Sequence, residues 1–276
     1  ISVSNINVTP LATSLRSELV SRKNSGTPGN QDHHNPVISG DGRSIVFKSN
    51  STNFDSLDVG FAGSGMDIFV YRFDAVGICL VSKDPAGGSY QSYSPEINTN
   101  GNWITFYNNS GGGDQANTIY RYSHGSNHCG RTSLLFESTE NGNDFSSTST
   151  DDGNLVFFHS NKTQLDPNIT DSNGTADIYV KNINSGNISL AYPFVETPNF
   201  TAFHTDSDGD VLIVSVSGSI GCQSNCPSES FGDPNTDFGT GSSNNRSQIY
   251  KVDRNSNSVS LVSGASNGSL GNDHSH

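Results

Sequence analysis

Residues 39–47 read Ser-Gly-Asp-Gly-Arg-Ser-Ile-Val-Phe, a glycine turn running directly into an apolar, β-branched stretch. A tight turn between antiparallel strands needs positive φ, which Gly adopts without steric cost, so Asp-Gly or Asn-Gly before such a run is a strong hairpin signal. The arrangement returns three times. Thr99-Asn100-Gly101 precedes Trp103-Ile104-Thr105-Phe106, Asp151-Asp152-Gly153 precedes Leu155-Val156-Phe157-Phe158, and Asp208-Gly209 precedes Val211-Leu212-Ile213-Val214.

Two further elements follow each turn in phase. One is Asp67-Ile68-Phe69-Val70-Tyr71, then Thr118-Ile119-Tyr120-Arg121-Tyr122, Asp177-Ile178-Tyr179-Val180 and Gln248-Ile249-Tyr250-Lys251-Val252. The next is Cys79-Leu80-Val81-Ser82, then Thr132-Ser133-Leu134-Leu135, Ile188-Ser189-Leu190-Ala191 and Leu261-Val262-Ser263. With the segment before the turn, each unit holds four short strands, A to D. A lone four-stranded sheet with two apolar faces cannot bury both, and stacking such units face to face around an axis solves this. The expected fold is therefore all-β: a β-propeller of four four-stranded blades, with room for a partial fifth and an extra N-terminal β-segment.

Composition agrees. The 276 residues are 31% hydrophobic and 15% charged, with 29 Gly, 45 Ser and 32 Asn, too few helix formers for a bundle. The apolar residues are clustered, which argues against disorder. A net charge of -13 argues against nucleic acid and anionic membrane as partners, and no apolar run is long enough for a transmembrane helix.

The stretches NPVISGDGRSIVFKSNSTNF (35–54) and DIFVYRFDAVGICLVSKD (67–84) resemble the TolB-type, WD-like β-propeller repeat. The match is close in the first unit and weaker in the third and fourth, where the A strands are expected at 146–150 and 202–205. The resemblance implies a propeller. It implies no single activity, because such blades serve as binding platforms, structural modules and accessory domains of hydrolases.

The two ends repeat one another. Residues 19–34, LVSRKNSGTPGNQDHH, match 261–276, LVSGASNGSLGNDHSH, at Leu19/Leu261, Val20/Val262, Ser21/Ser263, Gly26/Gly268, Gly29/Gly271, Asn30/Asn272 and His34/His276. Residues 23–276 thus account for four blades, and residues 1–22 form an N-terminal β-segment with no position in a four-blade ring. Three placements are open: a partial fifth blade, extra outer strands on blade four, or donation to a neighbouring subunit by β-strand addition, which builds filaments when it does not close. Six aliphatic side chains (Ile1, Val3, Ile6, Val8, Leu19, Val20) supply the driving force. A fragment of a longer propeller is the plainer alternative.

Chemistry-bearing motifs are few. No phosphate loop or His-Glu-x-x-His run is present, a nucleophile elbow is not expected, and no catalytic residue is assigned. Asp206, Asp208 and Asp210 are weak calcium candidates with alternating oxygen ligands, competing with a plain hairpin turn. Asp166 to Asp171 and Asp233 to Asp237 are equivalent candidates. His33, His34, His274 and His276 fall just before A strands and would cluster around zinc only if the two ends met. Four cysteines suit a secreted protein with two disulfides, Cys222–Cys226 across a small loop and Cys79–Cys129 as the remainder, with a free buried Cys79 as the alternative. Glycosylation sequons occur at Asn7, Asn50, Asn108, Asn161, Asn168, Asn173, Asn187, Asn199, Asn245 and Asn267, against about six or seven expected by chance. The chain begins with Ile, as a processed chain would. The functional expectation is a secreted, non-enzymatic structural or binding module that associates with itself or with an extracellular glycan or protein. The alternative is the propeller of a carbohydrate-active or peptidase-linked enzyme.

Overall fold

The computed structural model describes residues 17–54, 65–74, 77–82, 91–109, 118–123, 131–134, 144–168, 176–191, 194–196, 199–217, 221–222 and 247–263. They form four antiparallel four-stranded sheets and no helix. Blade one is β1 (His33–Ile38), β2 (Ser44–Ser49), β3 (Asp67–Arg72) and β4 (Gly77–Leu80). Blade two is β5 (Gln91–Ile97), β6 (Trp103–Asn109), β7 (Thr118–Ser123) and β8 (Arg131–Leu134). Blade three is β9 (Asp144–Ser149), β10 (Leu155–Ser160), β11 (Asp177–Asn182) and β12 (Ile188–Leu190). A small ribbon pairs β13 (Phe194–Glu196) with β16 (Gly221–Cys222) and flanks blade four, which is β14 (Asn199–Thr205), β15 (Val211–Ser217), β17 (Ser247–Asp253) and β18 (Ser258–Leu261). Strand order within every blade follows chain order.

Alternation along the central strands decides what each blade touches, because successive side chains point to opposite faces. Val46, Ile68, Val70, Cys79 and Val81 of blade one pack with Ile97, Ile104, Phe106 and Tyr122 of blade two. Ile119 of blade two packs with Val156, Phe158 and Tyr179 of blade three. Phe157, Ile178 and Val180 of blade three pack with Leu212, Val214, Tyr250 and Val252 of blade four. Each blade thus has a forward face toward its successor and a backward face toward its predecessor. Among the described residues, no apolar cluster joins blade four to blade one.

The A–B turns repeat one hydrogen-bonding scheme. The side-chain oxygen at the first position accepts the N–H five residues on: Ser44 N to Ser39 Oγ (3.0 Å), Trp103 N to Asn98 Oδ1 (3.1 Å), Leu155 N to Thr150 Oγ1 (3.1 Å) and Val211 N to Asp206 Oδ1 (3.1 Å). The third residue, Asp or Asn, accepts from the N–H two residues on, and the fourth is Gly at φ between +67° and +82°. Neighbouring turns are also tied together: Asp41 N donates to Thr99 O (2.8 Å), Asn100 Nδ2 to Asp151 O (2.7 Å) and Asp151 N to Ser207 O (2.8 Å). At two turns an arginine reinforces the joint. Arg121 lies 4.2 Å from the Trp103 ring and donates to Gly153 O, while Arg254 lies 5.0 Å from the Phe157 ring and donates to Gly209 O.

The structure corrects two details of the strand reading. Residues 17–21 form no strand and Arg22 makes only an isolated bridge to Pro28, so the β-character expected for 18–22 is absent there; residues 1–16 lie outside the described residues. Instead, Glu18 to Asn24 lie on the backward face of blade one in the same chain. Val20 packs on the cluster of Phe47, Phe54, Phe69, Tyr71, Ile78 and Leu80. Tyr71 donates to Glu18 Oε1 (2.7 Å), Arg22 pairs with Glu18 (2.6 Å), and Ile78 N donates to Asn24 Oδ1 (3.2 Å). Second, the D strands end at the Leu of Leu-Val-Ser. The following residue still bonds strand C in register, with Val81 N donating to Ile68 O, Ala191 N to Ile178 O and Val262 N to Ile249 O.

A Cβ at Gly42 (φ +70°) would meet nothing, whereas a Cβ at Gly153 (φ +67°) would overlap the Trp103 indole. Gly42→Ala is therefore expected to cost about 1–2 kcal/mol, the left-handed penalty alone. Gly153→Ala should cost about 1–3 kcal/mol more through overpacking. Urea unfolding of the two variants checks this; equal losses would show that the turn does not press on blade two.

Candidate interaction site

Blade four is the last described blade, and its forward face is the surface at issue. Turn-to-turn alignment makes Ile213 equivalent to Val46, Thr105 and Phe157, which all face the next blade. Ile213 is 38% exposed where those three are 0%, 1% and 0%. The residue after strand D behaves the same way: Val81 is 0% and Ala191 4% exposed, but Val262 is 54%. Ile249 keeps the aliphatic identity of the fully buried Ile68, Ile119 and Ile178 and is only partly buried. Lys251, paired with Ile213 across the ladder, stands where blades one and three have Val70 and Val180. The last blade keeps the aliphatic positions of an inter-blade face with no blade over them. Blade one has the complementary backward face, and there residues 17–24 cover it. Val20 takes the place that Val262 would take if blade four closed onto blade one. Periodicity alone did not single out this asymmetry, although the matched Val20 and Val262 were its sequence signal.

The calcium candidates serve the backbone. Asp206 Oδ1 accepts from Gly209 N (2.9 Å) and Val211 N, and Asp208 Oδ1 accepts from Asp210 N (3.4 Å). Asp166 accepts from Asn168 N (2.9 Å) through Oδ1 and from Leu190 N (3.1 Å) through Oδ2, tying its loop to β12. Among the described residues, no group of three or more His, Cys, Asp or Glu side chains is arranged to hold a metal ion. Asp171, Asp233 and Asp237 lie outside them.

His33 and His34 lie inside β1, not before it. The His33 ring stacks on Phe54 (5.4 Å between centroids) and meets Phe47 edge-on (5.9 Å), and burial lowers its pKa. His274 and His276 lie outside the described residues.

Cys79 is buried on β4 and disulfide-bonded. The side chains of Cys129, Cys222 and Cys226 lie outside the described residues, although the backbone of Cys222 pairs with Phe194. The sequons divide by burial. Asn108 is buried and its Oδ1 accepts from Ser92 Oγ (2.6 Å), Asn50 and Asn161 are half-buried, and Asn168 and Asn187 are exposed. Side chains of Asn7, Asn173, Asn199, Asn245 and Asn267 lie outside the described residues. One spacing departs from the sequence expectation: residues 264–268 read Gly-Ala-Ser-Asn-Gly, the spacing of a nucleophile elbow. An elbow also needs a helix to follow, and residues 269–276, Ser-Leu-Gly-Asn-Asp-His-Ser-His, are mostly weak helix formers. The stretch lies outside the described residues.

Sequence reading also missed Glu96. It sits half-buried on the inner strand β5, opposite Thr105, which itself donates to Ser147 O of blade three (3.0 Å). Burial without a compensating charge raises its pKa to about 7.

No family model and no curated protein matches the chain. Solved structures of similar fold exist. An oligogalacturonate lyase in complex with manganese aligns with TM-score 0.51 at 10% identity, covering 86% of this chain and 55% of that one. A prolyl endopeptidase aligns with TM-score 0.47 at 14% identity, covering 84% and 27%. The β-propeller domain of the Trilobed protease from Pyrococcus furiosus aligns with TM-score 0.46 at 10% identity, covering 80% and 54%. The likeness is one of fold, and the chain spans about half or less of each of these chains. The described residues form an all-β propeller of four blades.

Glu96 makes stability pH-dependent with a defined sign. Its folded pKa of about 7 lies above the ordinary 4.5, so folding favours the protonated form. The penalty is absent below 4.5, grows from there to 7 and is complete above, at most about 3 kcal/mol. Glu96→Gln should therefore stabilise the protein at pH 8 and leave it unchanged at pH 4. Thermal unfolding at both pH values checks this; equal gains at both would remove the carboxylate as the cause.

Proposed function

We propose that this chain is a TolB-type propeller serving as an extracellular, non-enzymatic structural or binding module, which joins copies of itself head to tail. The observation that carries the reading is the forward face of blade four, where Ile213 and Val262 are exposed and Ile249 is only partly buried. Copies would meet with this face toward the blade-one end of the next subunit. The described chain begins at that end, against blade one, so residues 1–16 would be supplied there as the added β-segment. Their Ile1, Val3, Ile6 and Val8 offer an aliphatic surface to cover the exposed aliphatic positions of blade four. A head-to-tail contact uses two different surfaces and so builds an open polymer unless the rotation closes a ring. The alternative, a propeller working within a polymer-cleaving enzyme, would instead show as cleavage of a polymer by the purified chain.

Electron microscopy and sedimentation of the purified chain test this. Concentration-dependent filaments or oligomers are expected. Ile213→Lys with Val262→Lys, or deletion of residues 1–16, should leave folded monomers with little change in Tm. A wild-type chain that stays monomeric at high concentration would refute the proposal. So would a large loss of Tm in the double variant, because those side chains would then be core.

The extracellular reading carries a disulfide expectation, Cys79–Cys129 and Cys222–Cys226. Non-reducing peptide mapping should recover both links; free thiols at Cys222 and Cys226 would contradict it.

A further inference from the structure

Beside the inner strands, the junction between blades two and three is built from polar side chains where the neighbouring junctions use apolar ones. Counted from the A–B turns, three positions show this. The first reads Val37, Glu96 and Thr148 in blades one to three, and the second, on the facing blade, reads Pro95, Ser147 and Phe203 in blades two to four. The third reads Val46, Thr105 and Phe157. Val37 and Val46 join the apolar layer between blades one and two, and Phe157 and Phe203 join the layer between blades three and four. The middle junction has Glu96, Thr105 and Ser147 instead.

These three side chains share one layer. Glu96 lies directly opposite Thr105 in the blade-two ladder, so both point toward blade three. The Thr105 hydroxyl crosses the junction and donates to Ser147 O (3.0 Å). Ser147 lies opposite Phe158, which packs with Ile119 of blade two, so the Ser147 side chain points back toward blade two.

Their hydrogen-bonding capacity is unspent. Ser147 is 1% exposed and its hydroxyl has no hydrogen-bond partner. The half-buried Glu96 carboxylate makes no hydrogen bond or ion pair with the described residues. Arg121, opposite Thr105 on its other side, is turned to the Trp103 ring and Gly153 O. A carboxylate withdrawn from water is costly unless a proton or a cation neutralises it, and an unpartnered buried hydroxyl is costly as well. One cation relieves both costs, because Glu96, Ser147 and Thr105 all present hard oxygen lone pairs, Thr105 keeping its own after donating its hydrogen. The single carboxylate sets the charge. It balances a monovalent ion, whereas a divalent ion on one carboxylate and two hydroxyls would leave net charge in the layer.

We propose that Glu96, Thr105 and Ser147 form a binding site for a monovalent alkali cation, which fastens β5 and β6 to β9. The site stands independently of the assembly reading.

Thermal unfolding of the full chain at pH 8, in sodium, potassium or choline chloride at one ionic strength, tests the proposal. Tm should rise saturably as sodium or potassium replaces choline, by roughly 2–4 °C at ten times the dissociation constant. Glu96→Gln should abolish the rise. In choline that variant should be the more stable protein, because the wild-type carboxylate has no counter-ion there, and the stabilising salt should remove its advantage. Ser147→Ala loses an unpartnered hydroxyl, so in choline it should be at least as stable as the wild type. Its cation midpoint should nevertheless move about tenfold higher, the loss expected for one contact to a charged group. Equal Tm in all three salts would overturn the site, as would a rise that survives in Glu96→Gln or is undiminished in Ser147→Ala. Stabilisation by calcium chloride but by neither alkali salt would overturn the monovalent assignment.

Discussion

Everything in this molecule depends on a sheet having two apolar faces and only one blade's worth of chain to cover them. Val46 and Phe47 are neighbours in sequence, both buried, and point to opposite sides of β2. The same holds for Phe157 and Phe158 of β10. A blade so built is unstable alone, since burial of an apolar side chain is worth about 1.5–3 kcal/mol and half of that surface would face water. Stacking satisfies every internal face and leaves one at each end of the series. The two ends are treated differently. On blade one the chain covers the backward face with Val20, Glu18 and Arg22. On blade four the forward face is left with Lys251 and exposed aliphatics.

The A–B turns act as the second fastening, and their Asp41, Asp152, Asp206 and Asp208 carboxylates serve the backbone. Each turn uses one side-chain oxygen to hold the N–H five residues ahead and another to hold the N–H two residues ahead. Ser, Asn, Thr and Asp all perform the first task, at positions 39, 98, 150 and 206. That interchange is what backbone geometry demands, and a cation would be far more selective for charged oxygen. Turns tied to turns set adjacent blades at a fixed spacing, with Arg121 and Arg254 clamped over the rings beside two of them.

The blade architecture was legible because its signals are local. Gly at positive φ and alternating apolar strands located strands B and C to within about three residues. The D strands were placed slightly late. Val81 and Val262 look like strand residues because each still bonds strand C in register just past the strand end. Residues 18–22 misled for a related reason. Leu19-Val20-Ser21 matches the D-strand ends in sequence, but among the described residues it pairs with no C strand and packs on the aromatic face of blade one. The Asp206 carboxylate accepts two backbone N–H groups of its own turn. The burial of Glu96 was invisible, since it arises where chain segments distant in sequence meet.

The central claim is that blade four's forward face is open in the single chain and is covered by another copy. Hydroxyl-radical footprinting across a concentration series reads this side chain by side chain. In dilute solution Ile213 and Val262 should be oxidised readily while their repeat equivalents Val46, Phe157 and Val81 stay protected. Raising the concentration should then protect Ile213 and Val262 alone. Protection of Ile213 and Val262 in the dilute monomer would contradict the account, because blade four would then be closed onto its own chain.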